Sequence, residues 1–475
     1  MMKTLKHILP ITLILFLTLS AKAIHLNTAA KGFEITIDFN EQQFDSVYIN
    51  AFSFEKQYHP IYAFPFAKHC ILSNNEPLQE GFYLLMGDKT ILTYIIISDR
   101  KNQRFSISID HKNIAFKGSE ENSANINYIA VMENFDKQLK QIDTKGRLLQ
   151  QQNLPPAQAK LIIDTLLQQM EAISQAKENY KWQMIKQFKG SLFASLVSAS
   201  LELANPPKEY FADKKLFEQY YVTHFFDHFP WQDARFVNTI IYFNKIRQFC
   251  TSLPKIASSV ADTFLTNTLN AVKPYSNNYF VLFDKIESII GNYASPLYNE
   301  HLRIIALKNA LSHPAIDAAR LSRYKAELKR IDQNHIGDQV PDFDLVLCNG
   351  DSTHLYNIQS EYMILYLQNP DCPSCKEIRS KMDTMTLLNK AINDSKIVVL
   401  TLYFEDHQFV WEKYCKNATS RYLHGWNYNL AIEKEQLFDI QIIPYMFLLD
   451  KDKKVIKKDM LWNEIKETIQ LMIND

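Results

Sequence analysis

The sequence predicts a multidomain chain with an N-terminal antiparallel β domain, a central all-α helical domain and a C-terminal α/β domain. Apolar and polar residues alternate near the start, which is typical of half-buried strands. Apolar residues recur at helical spacing through the middle of the chain, and apolar strands alternate with helices towards the end. At about 100–200 residues per domain, a chain of this length should form more than one domain.

The composition excludes some classes of partner. Lys plus Arg and Asp plus Glu both total 52, so the chain has no excess of positive charge with which to neutralise phosphates. It contains 10 glycines against 30 phenylalanines and 24 tyrosines, and this composition favours packed helices and strands over flexible linkers. Nucleic acid is therefore a poor candidate partner.

Residues 1–23 have the features of a signal peptide. Lys3 and Lys6 precede an apolar run over residues 8–19, and Ala21-Lys22-Ala23 places small residues where a signal peptidase cleaves. A membrane anchor is the alternative, but the run is short for a bilayer that needs about 20 apolar residues. No later segment of the sequence is long and apolar enough to span a membrane. We therefore predict cleavage after Ala23 and a periplasmic protein without an integral membrane segment.

Residues 24–122 are predicted to form a small antiparallel β domain. Period-two alternation is clearest in the first and last strands of this region. The segments between them are rich in β-branched and aromatic residues and are separated by turn signals. The predicted strands cover residues 33–39, 47–49, 81–85, 91–97 and 105–109.

Residues 123–335 are predicted to form the helical domain. Ile163, Leu167 and Met170 share one face of a helix that Pro155-Pro156 should begin. Later prolines should divide the rest of the region into helices of ordinary length. These breaks are expected at Pro206-Pro207, Pro230, Pro254, Pro274 and Pro296.

One pair of histidines in this region has the spacing of metal ligands. His224 and His228 stand four residues apart in an aromatic-rich stretch and could share one helix face. No third ligand occurs nearby in the sequence, and aromatic-rich helices usually build a core or a partner groove. We therefore predict no metal site.

Residues 336–475 are predicted to form the α/β domain. A hairpin is expected through Asn349-Gly350-Asp351, and buried strands over residues 362–367 and 396–403 flank a helix. Such a strand-helix-strand unit predicts that the two strands are parallel. A further apolar strand follows Ile443-Pro444, where the proline should flank the strand pairing.

Cys372 and Cys375, in the sequence Cys372-Pro373-Ser374-Cys375, are the only cysteines spaced as a unit. They lie where a predicted strand leads into a helix, so free N–H groups and the helix dipole should stabilise a thiolate. Pro373 suits the first turn, which does not need its missing N–H. A zinc site would use two such pairs, and a structural disulfide this short would remove little entropy from the unfolded chain. The pattern favours a redox pair.

The other four cysteines are scattered without metal-ligand spacing. We interpret each as a small buried apolar residue rather than as a ligand or a nucleophile. Export would favour pairing of thiols, so the redox state of these residues stays open. They are Cys70, Cys250, Cys348 and Cys415.

The two-cysteine motif, the strand before it, the helix after it and Ile443-Pro444 together resemble the exported thioredoxin-like family that includes the cytochrome-maturation thioredoxins. The resemblance implies a thioredoxin-like fold and no cofactor beyond a redox-active Cys372–Cys375 disulfide. It implies that Cys372 attacks a substrate disulfide, that Cys375 resolves the mixed disulfide, and that a cis-proline loop at Pro444 receives the substrate strand. Residues 24–122 and 210–298 are similar to a β domain and a helical domain of unassigned function that precede thioredoxin modules in Bacteroidetes proteins.

The motif departs from the family pattern in its neighbours. Asp371 stands where the family usually has Trp, and its carboxylate should raise the pKa of Cys372. Tyr366 occupies the strand position at which thioredoxins carry a buried acid. Glu377 lies one residue from the position of the acid in the maturation proteins, so Glu377 and water both stay open as proton donors to Cys375.

These patterns predict a periplasmic thiol-disulfide oxidoreductase that reduces or isomerises disulfides of exported proteins and draws electrons from a thiol donor. A second interpretation is a binding scaffold in which the β and helical domains hold a peptide or envelope ligand and the thioredoxin module is inactive. A peroxidase of the peroxiredoxin kind fits less well, because the paired cysteines and the later Pro444 match the thioredoxin pattern better.

Overall fold

The computed structural model describes residues 32–40, 43–53, 57–101, 103–110, 113–150, 155–203, 206–419, 421–458, 464–465 and 467–470. The predicted signal peptide lies outside these residues. The chain divides into two compact units, the first ending at residue 141 and the second comprising residues 52–57 and the chain from residue 142. None of the described helices combines the length and the apolar character that crossing a membrane requires.

The first unit is built from strands that form two four-stranded sheets, with orders β4-β1-β7-β8 and β3-β2-β5-β6. Alternate residues of both sheets point into one shared hydrophobic core, which includes Ile35, Ile49, Leu85 and Ile107. This is the half-buried pattern that the period-two alternation predicted. The strands are β1 (Phe33–Phe39), β2 (Ser46–Ser53), β3 (Gln57–Pro65), β4 (His69–Asn74), β5 (Gly81–Gly87), β6 (Thr90–Ile97), β7 (Arg104–Asp110) and β8 (Asn113–Lys117).

The prediction of a wholly antiparallel β domain was wrong for one pair of strands. β1 runs parallel to β7, with Ile35 opposite Phe105 and Ile37 opposite Ile107. The pairs β1–β4, β2–β5, β5–β6 and β7–β8 are antiparallel. A parallel pair needs a long crossover. The chain supplies one here, because the second sheet is formed between β1 and β7.

Helices follow these strands up to residue 331. The second of them begins at Pro156, as predicted, and Pro254 and Pro274 lie in breaks between later helices. Side-chain oxygens cap the N-termini of several helices. Asp213 and Thr239, for example, each cap the helix that begins at the next residue. The helices are α1 (Glu120–Gln150), α2 (Pro156–Gln187), α3 (Leu192–Ser198), α4 (Lys214–His224), α5 (Ile240–Ser252), α6 (Ser258–Val272), α7 (Ser276–Ile286), α8 (Glu300–Leu311) and α9 (Ala318–Ile331).

The aromatic-rich stretch after α4 packs into the core of the helical region. Phe225 is buried and its ring contacts Phe226 and Phe264 at centroid distances of 4.7 and 5.4 Å. α4 ends at His224 and His228 has a positive φ, so the two histidines do not share a helix face. Among the described residues, no group of three or more His, Cys, Asp or Glu side chains is placed to hold a metal ion.

The last part of the second unit is a seven-stranded sheet of order β10-β9-β13-β12-β11-β14-β15 within the described residues. β11 and β12 are parallel, as predicted, and β14 runs antiparallel to β11. The elements are β9 (Asp344–Leu347), β10 (Ser352–His354), β11 (Tyr362–Leu367), α10 (Pro373–Thr384), α11 (Thr386–Asn393), β12 (Ile397–Tyr403), α12 (Gln408–Cys415), β13 (Leu423–Trp426), α13 (Ala431–Lys434), β14 (Tyr445–Asp450) and β15 (Val455–Lys458).

Both faces of this sheet are covered, which explains why its central strands are apolar throughout. Leu365 and Leu367 of β11 belong to one core, whereas Ile364 and Tyr366 belong to the core on the opposite face. Met382 of α10 is fully buried in that second core. α10 is therefore fixed against the sheet along its apolar side, and its first turn lies beyond the end of β11.

Candidate active site

The loop between β11 and α10 places both cysteines of the motif at the start of the helix. Cys372 is the N-cap residue of α10 and Pro373 is its first helical residue, as the sequence predicted. The side chain of Asn369 fixes the loop, because its Oδ1 accepts a hydrogen bond from the N–H of Asp371 at 2.8 Å and its Nδ2 donates to Glu405 Oε2 at 2.8 Å. The N–H of Cys372 donates to the carbonyl of Asn369 at 3.1 Å.

The two thiols differ in their exposure. Both are free in this structure, but Cys372 is partly exposed and Cys375 is fully buried. The hydroxyl of Tyr366 donates a hydrogen bond to the carbonyl of Cys375 at 2.9 Å and so ties the first turn of α10 to the strand. Cys372 is therefore accessible from solvent, whereas Cys375 is shielded from it.

The pKa of Cys372 is lowered from its ordinary value. Partial burial opposes the thiolate, but hydrogen bonding from the N–H and thiol of Cys375, the N–H of Ser374 and the charge of Lys376 together outweigh that penalty. Asp371 was expected to raise this pKa, but the net shift is downward and Asp371 is not among its main causes. The Asp371 carboxylate is largely exposed and lies 3.6 Å from Lys376 Nζ, so solvent and an opposite charge screen it.

The pKa of the second thiol is shifted in the opposite direction. Desolvation is the main cause that raises the pKa of Cys375, and together with the hydrogen bond to Cys372 and the proximity of its charge it brings that pKa to about 12, against the lowering effects of the N–H of Asn369 and of Arg379. Cys375 therefore stays protonated at neutral pH while Cys372 more readily forms the thiolate. The start of one helix therefore favours the thiolate at Cys372 and the protonated thiol at Cys375.

Pro444 lies at the same end of the sheet strands as the cysteine loop. The peptide bond between Ile443 and Pro444 is cis, and β14 begins at the next residue. Tyr445 pairs with Leu367, which is the last residue of β11 before the loop to Cys372. Ile443 and Pro444 are half-buried. The strand register therefore brings the proline loop and the cysteine loop to one end of two neighbouring strands.

Glu377 occupies a different face of α10 from Cys375. Its carboxylate contacts Lys381 Nζ at 2.6 Å and is largely exposed. Residues two apart on a helix do not face each other. This pairing lowers the pKa of Glu377, which keeps the carboxylate ionised at neutral pH. Both observations favour water over Glu377 as the proton donor to Cys375.

A pocket of about 290 Å³ adjoins the cysteine loop between α10 and α12. Asp371, Lys376 and Arg379 line one side of it, and Tyr414 and His424 line the other. Arg379 donates a hydrogen bond to Gln368 Oε1 at 2.8 Å and lies over the Tyr414 ring at 5.0 Å. Arg379 was not predicted from the sequence, although it lies one helical turn after Cys375. That spacing was the available signal.

Two of the scattered cysteines form a disulfide, so the interpretation of these two as buried apolar residues was wrong. Cys348, just after β9, is bonded to Cys415 at the end of α12. They are 67 residues apart, and no local pattern could indicate that α12 returns to the start of the sheet. Cys70 and Cys250 are free and buried, as predicted, and burial raises the pKa of each.

The lowered pKa of Cys372 predicts how its reactivity depends on pH. The rate at which iodoacetamide alkylates the reduced protein at Cys372 should rise with pH and reach its plateau at a lower pH than for an ordinary cysteine, because only the thiolate reacts. Lys376→Met removes a charge that favours this thiolate and should move the midpoint upward. Lys381→Met on the same helix is the matched control and should leave the midpoint in place. Equal midpoints in all three proteins would contradict the role of Lys376.

A cysteine pair at the start of a helix, with a cis-proline loop at the same end of a mixed sheet, defines a dithiol site. The chain is similar to a thioredoxin-like protein from Bacteroides caccae ATCC 43185, with 22% identity and a TM-score of 0.53 over 57% of this chain and 98% of that one. This likeness shows a thioredoxin-like fold, in agreement with the fold expected from the sequence.

Two further solved structures match a smaller share of the chain. The C-terminal domain of an uncharacterized protein from Bacteroides fragilis NCTC 9343 is 27% identical, with a TM-score of 0.28 over 29% of this chain and 98% of that one. The thioredoxin domain of a thiol-disulfide oxidoreductase from Bacteroides vulgatus is 18% identical, with a TM-score of 0.25 over 29% of this chain and 99% of that one. With such TM-scores, neither structure adds to the argument.

The upstream helical region has a match of its own. Residues 167–334 match the family model described as Domain of unknown function (DUF5106). Residues 210–298, whose sequence resembles an uncharacterised helical domain, lie within this match. No curated protein matches the chain.

Proposed function

We propose that this protein is a periplasmic thiol-disulfide oxidoreductase that reduces or isomerises disulfides of exported proteins through Cys372 and Cys375. The observation that carries the proposal is the contrast between the two thiols. Cys372 is accessible and its pKa is lowered, while Cys375 is buried and its pKa is raised to about 12. A nucleophile and a protected resolving thiol on one helical turn are what two-step disulfide exchange requires.

The reaction follows from this arrangement. The Cys372 thiolate attacks one sulfur of a substrate disulfide, forms a mixed disulfide and releases the other substrate sulfur as a thiolate, which takes up a proton. Cys375 then loses its proton to water and attacks the Cys372 sulfur, which releases the second substrate thiolate. Two electrons have passed to the substrate, and the protein is left with a Cys372–Cys375 disulfide. A thiol electron donor must reduce that disulfide before the next cycle.

Pro444 and Ile443 are proposed to receive the substrate strand next to Cys372. They stand at the start of β14, at the end of the sheet where the cysteine loop also lies. An extended peptide laid along this loop would present its disulfide to the exposed thiol, because backbone hydrogen bonding to an extended loop aligns a partner strand.

The direction of electron flow is proposed to be reducing or isomerising. A strong oxidant needs a strongly stabilised thiolate in its reduced form. At this site burial partly offsets the interactions that lower the pKa of Cys372, and burial of Cys375 favours its protonated form. This balance supports a pair that releases its electrons to substrates rather than one that holds them.

Equilibration of the mature protein in glutathione buffers tests the proposal. The fraction of Cys372–Cys375 disulfide should give a reduction potential near that of thioredoxin, about −270 mV, and the reduced protein should reduce insulin disulfides. A potential near about −120 mV would instead identify an oxidant. Failure of the pair to exchange would contradict the enzymatic function and support the alternative of a binding scaffold.

A further inference from the structure

The segment that leads into the cis-proline loop is held by the helical region. Residues 436–441 precede the cis bond between Ile443 and Pro444. Within this segment Asp439 is only 8% exposed. Its carboxylate accepts hydrogen bonds from the hydroxyl of Tyr293 and from Gln441 Nε2, the second at 2.6 Å. The Arg330 guanidinium makes an ion pair with it, with Nε 2.7 Å from Oδ1.

A second set of contacts reaches the backbone of the same segment. After α9 ends, the side-chain amide of Gln333 donates to the carbonyl of Gln436 at 3.0 Å, and that of Asn334 donates to the carbonyl of Leu437 at 2.7 Å. Asn334 has a positive φ, a conformation that Asn tolerates better than most residues, and its side chain is buried. The helical region therefore contacts the segment through both its carboxylate and its carbonyl groups.

A third contact lies on the other side of the cis-proline loop. Lys458 of β15 has its Nζ 2.6 Å from Glu300 Oε1 and both side chains are largely buried. β15 pairs with β14, the strand that begins directly after Pro444. The proline loop is thus flanked on both sides by residues that the helical region holds.

Tyr293 is itself rigidly placed. Its ring stacks on that of Tyr298 with centroids 4.2 Å apart, and the Arg303 guanidinium lies 5.8 Å from the ring centre. Arg303 is buried and is held by Glu287 and Glu327 at 3.1 and 3.2 Å. Burial and the hydrogen bond to Asp439 raise the pKa of Tyr293, so its hydroxyl stays protonated and donates. The support for Asp439 therefore extends into the core of the helical region.

We propose that the helical region positions the cis-proline loop for substrate binding, with Tyr293 and Arg330 acting on that loop through Asp439. The inference rests on the proposed function and assigns a role to the region that matches a domain of unknown function. Tyr293, Glu300, Arg330, Gln333 and Asn334 all fall within residues 167–334. These are positioning residues, because they contact the segment before the loop and not the reacting sulfurs.

The test compares full-length Tyr293→Phe, Asp439→Asn and the double variant with wild-type protein. Tyr293→Phe should raise KM for a disulfide-bonded peptide about tenfold, the effect of losing one hydrogen bond to a charged group, and Asp439→Asn, which also weakens the ion pair with Arg330, should raise it at least as much. The maximal rate and the rate of Cys372 alkylation by iodoacetamide should not change. The double variant should be little worse than Asp439→Asn alone, because both changes act on the contact between Tyr293 and Asp439. Tyr279→Phe is the matched control, since its hydroxyl bonds Asn309 inside the helical region.

Several results would overturn the proposal. An unchanged KM in both single variants would do so, as would additive effects in the double variant or an equal rise in KM for Tyr279→Phe. Hydrogen exchange of residues 437–443 keeps the test independent of turnover, because exchange should accelerate there in Tyr293→Phe and not in the control. Accelerated exchange in a protein whose wild type exchanges no disulfides would support the positioning contact and contradict the proposed function alone. Unchanged exchange would overturn the positioning role.

Discussion

Replacing Cys372 with serine is expected to lower the rate of disulfide reduction by at least about a thousandfold, because the hydroxyl does not ionise to a nucleophile at neutral pH. Cys375→Ser should behave differently. Cys372 would still attack, but the mixed disulfide could not be resolved, so a covalent adduct with the substrate should accumulate. Mass spectrometry of the adduct after digestion should locate the substrate on Cys372. Turnover of insulin disulfides measures the first effect.

A buried free thiol elsewhere in the chain provides the control for these variants. Cys70 is buried in the first unit and makes no disulfide, so Cys70→Ala should leave turnover and adduct formation unchanged. Persistent turnover in Cys372→Ser would contradict the assignment of the nucleophile. An adduct on Cys375 in place of Cys372 would reverse the two roles, against the difference in their burial.

The sequence pattern predicted those elements whose structure depends mainly on residues that are close together in the chain. β11, α10 and β12 lie where the alternation of apolar runs and helix signals predicted them, and the parallel pairing follows from the single helical crossover. Pro156 begins α2 for an equally local reason, since its fixed φ suits the first turn. The burial of the aromatic stretch after α4 belongs to the same group.

Features that depend on distant parts of the chain could not be predicted in this way. The parallel pairing of β1 with β7 joins residues about seventy positions apart, and alternation shows which face is buried but not which strand is adjacent. The contact of Tyr293 with Asp439 spans 146 residues. The effect of Asp371 on the pKa of Cys372 could not be predicted from the sequence for a similar reason. It depends on where Lys376 lies and on how much water surrounds both side chains.

The disulfide between Cys348 and Cys415 is expected to make a large contribution to stability without taking part in exchange. It closes a loop of 67 residues that contains β11, α10, α11 and β12, and therefore both cysteines of the motif. In the chain-entropy description, a loop of this length stabilises the folded state by about 4 kcal/mol, because the crosslink restricts the unfolded chain. Cys348→Ala with Cys415→Ala should therefore lower the free energy of unfolding by roughly that amount.

Denaturant unfolding under non-reducing conditions measures this loss of unfolding free energy. The two cysteines are replaced, and no reductant is added, because a reductant would also open any Cys372–Cys375 disulfide. At denaturant concentrations below its unfolding transition, the double variant should still be alkylated at Cys372 and should still reduce insulin disulfides. Neither Cys348 nor Cys415 is among the groups that shift the pKa of Cys372. An unchanged unfolding midpoint would show that the crosslink does not stabilise the domain. Loss of alkylation in the folded double variant would instead indicate that α12, which carries Tyr414 and ends at Cys415, helps to shape the site around Cys372.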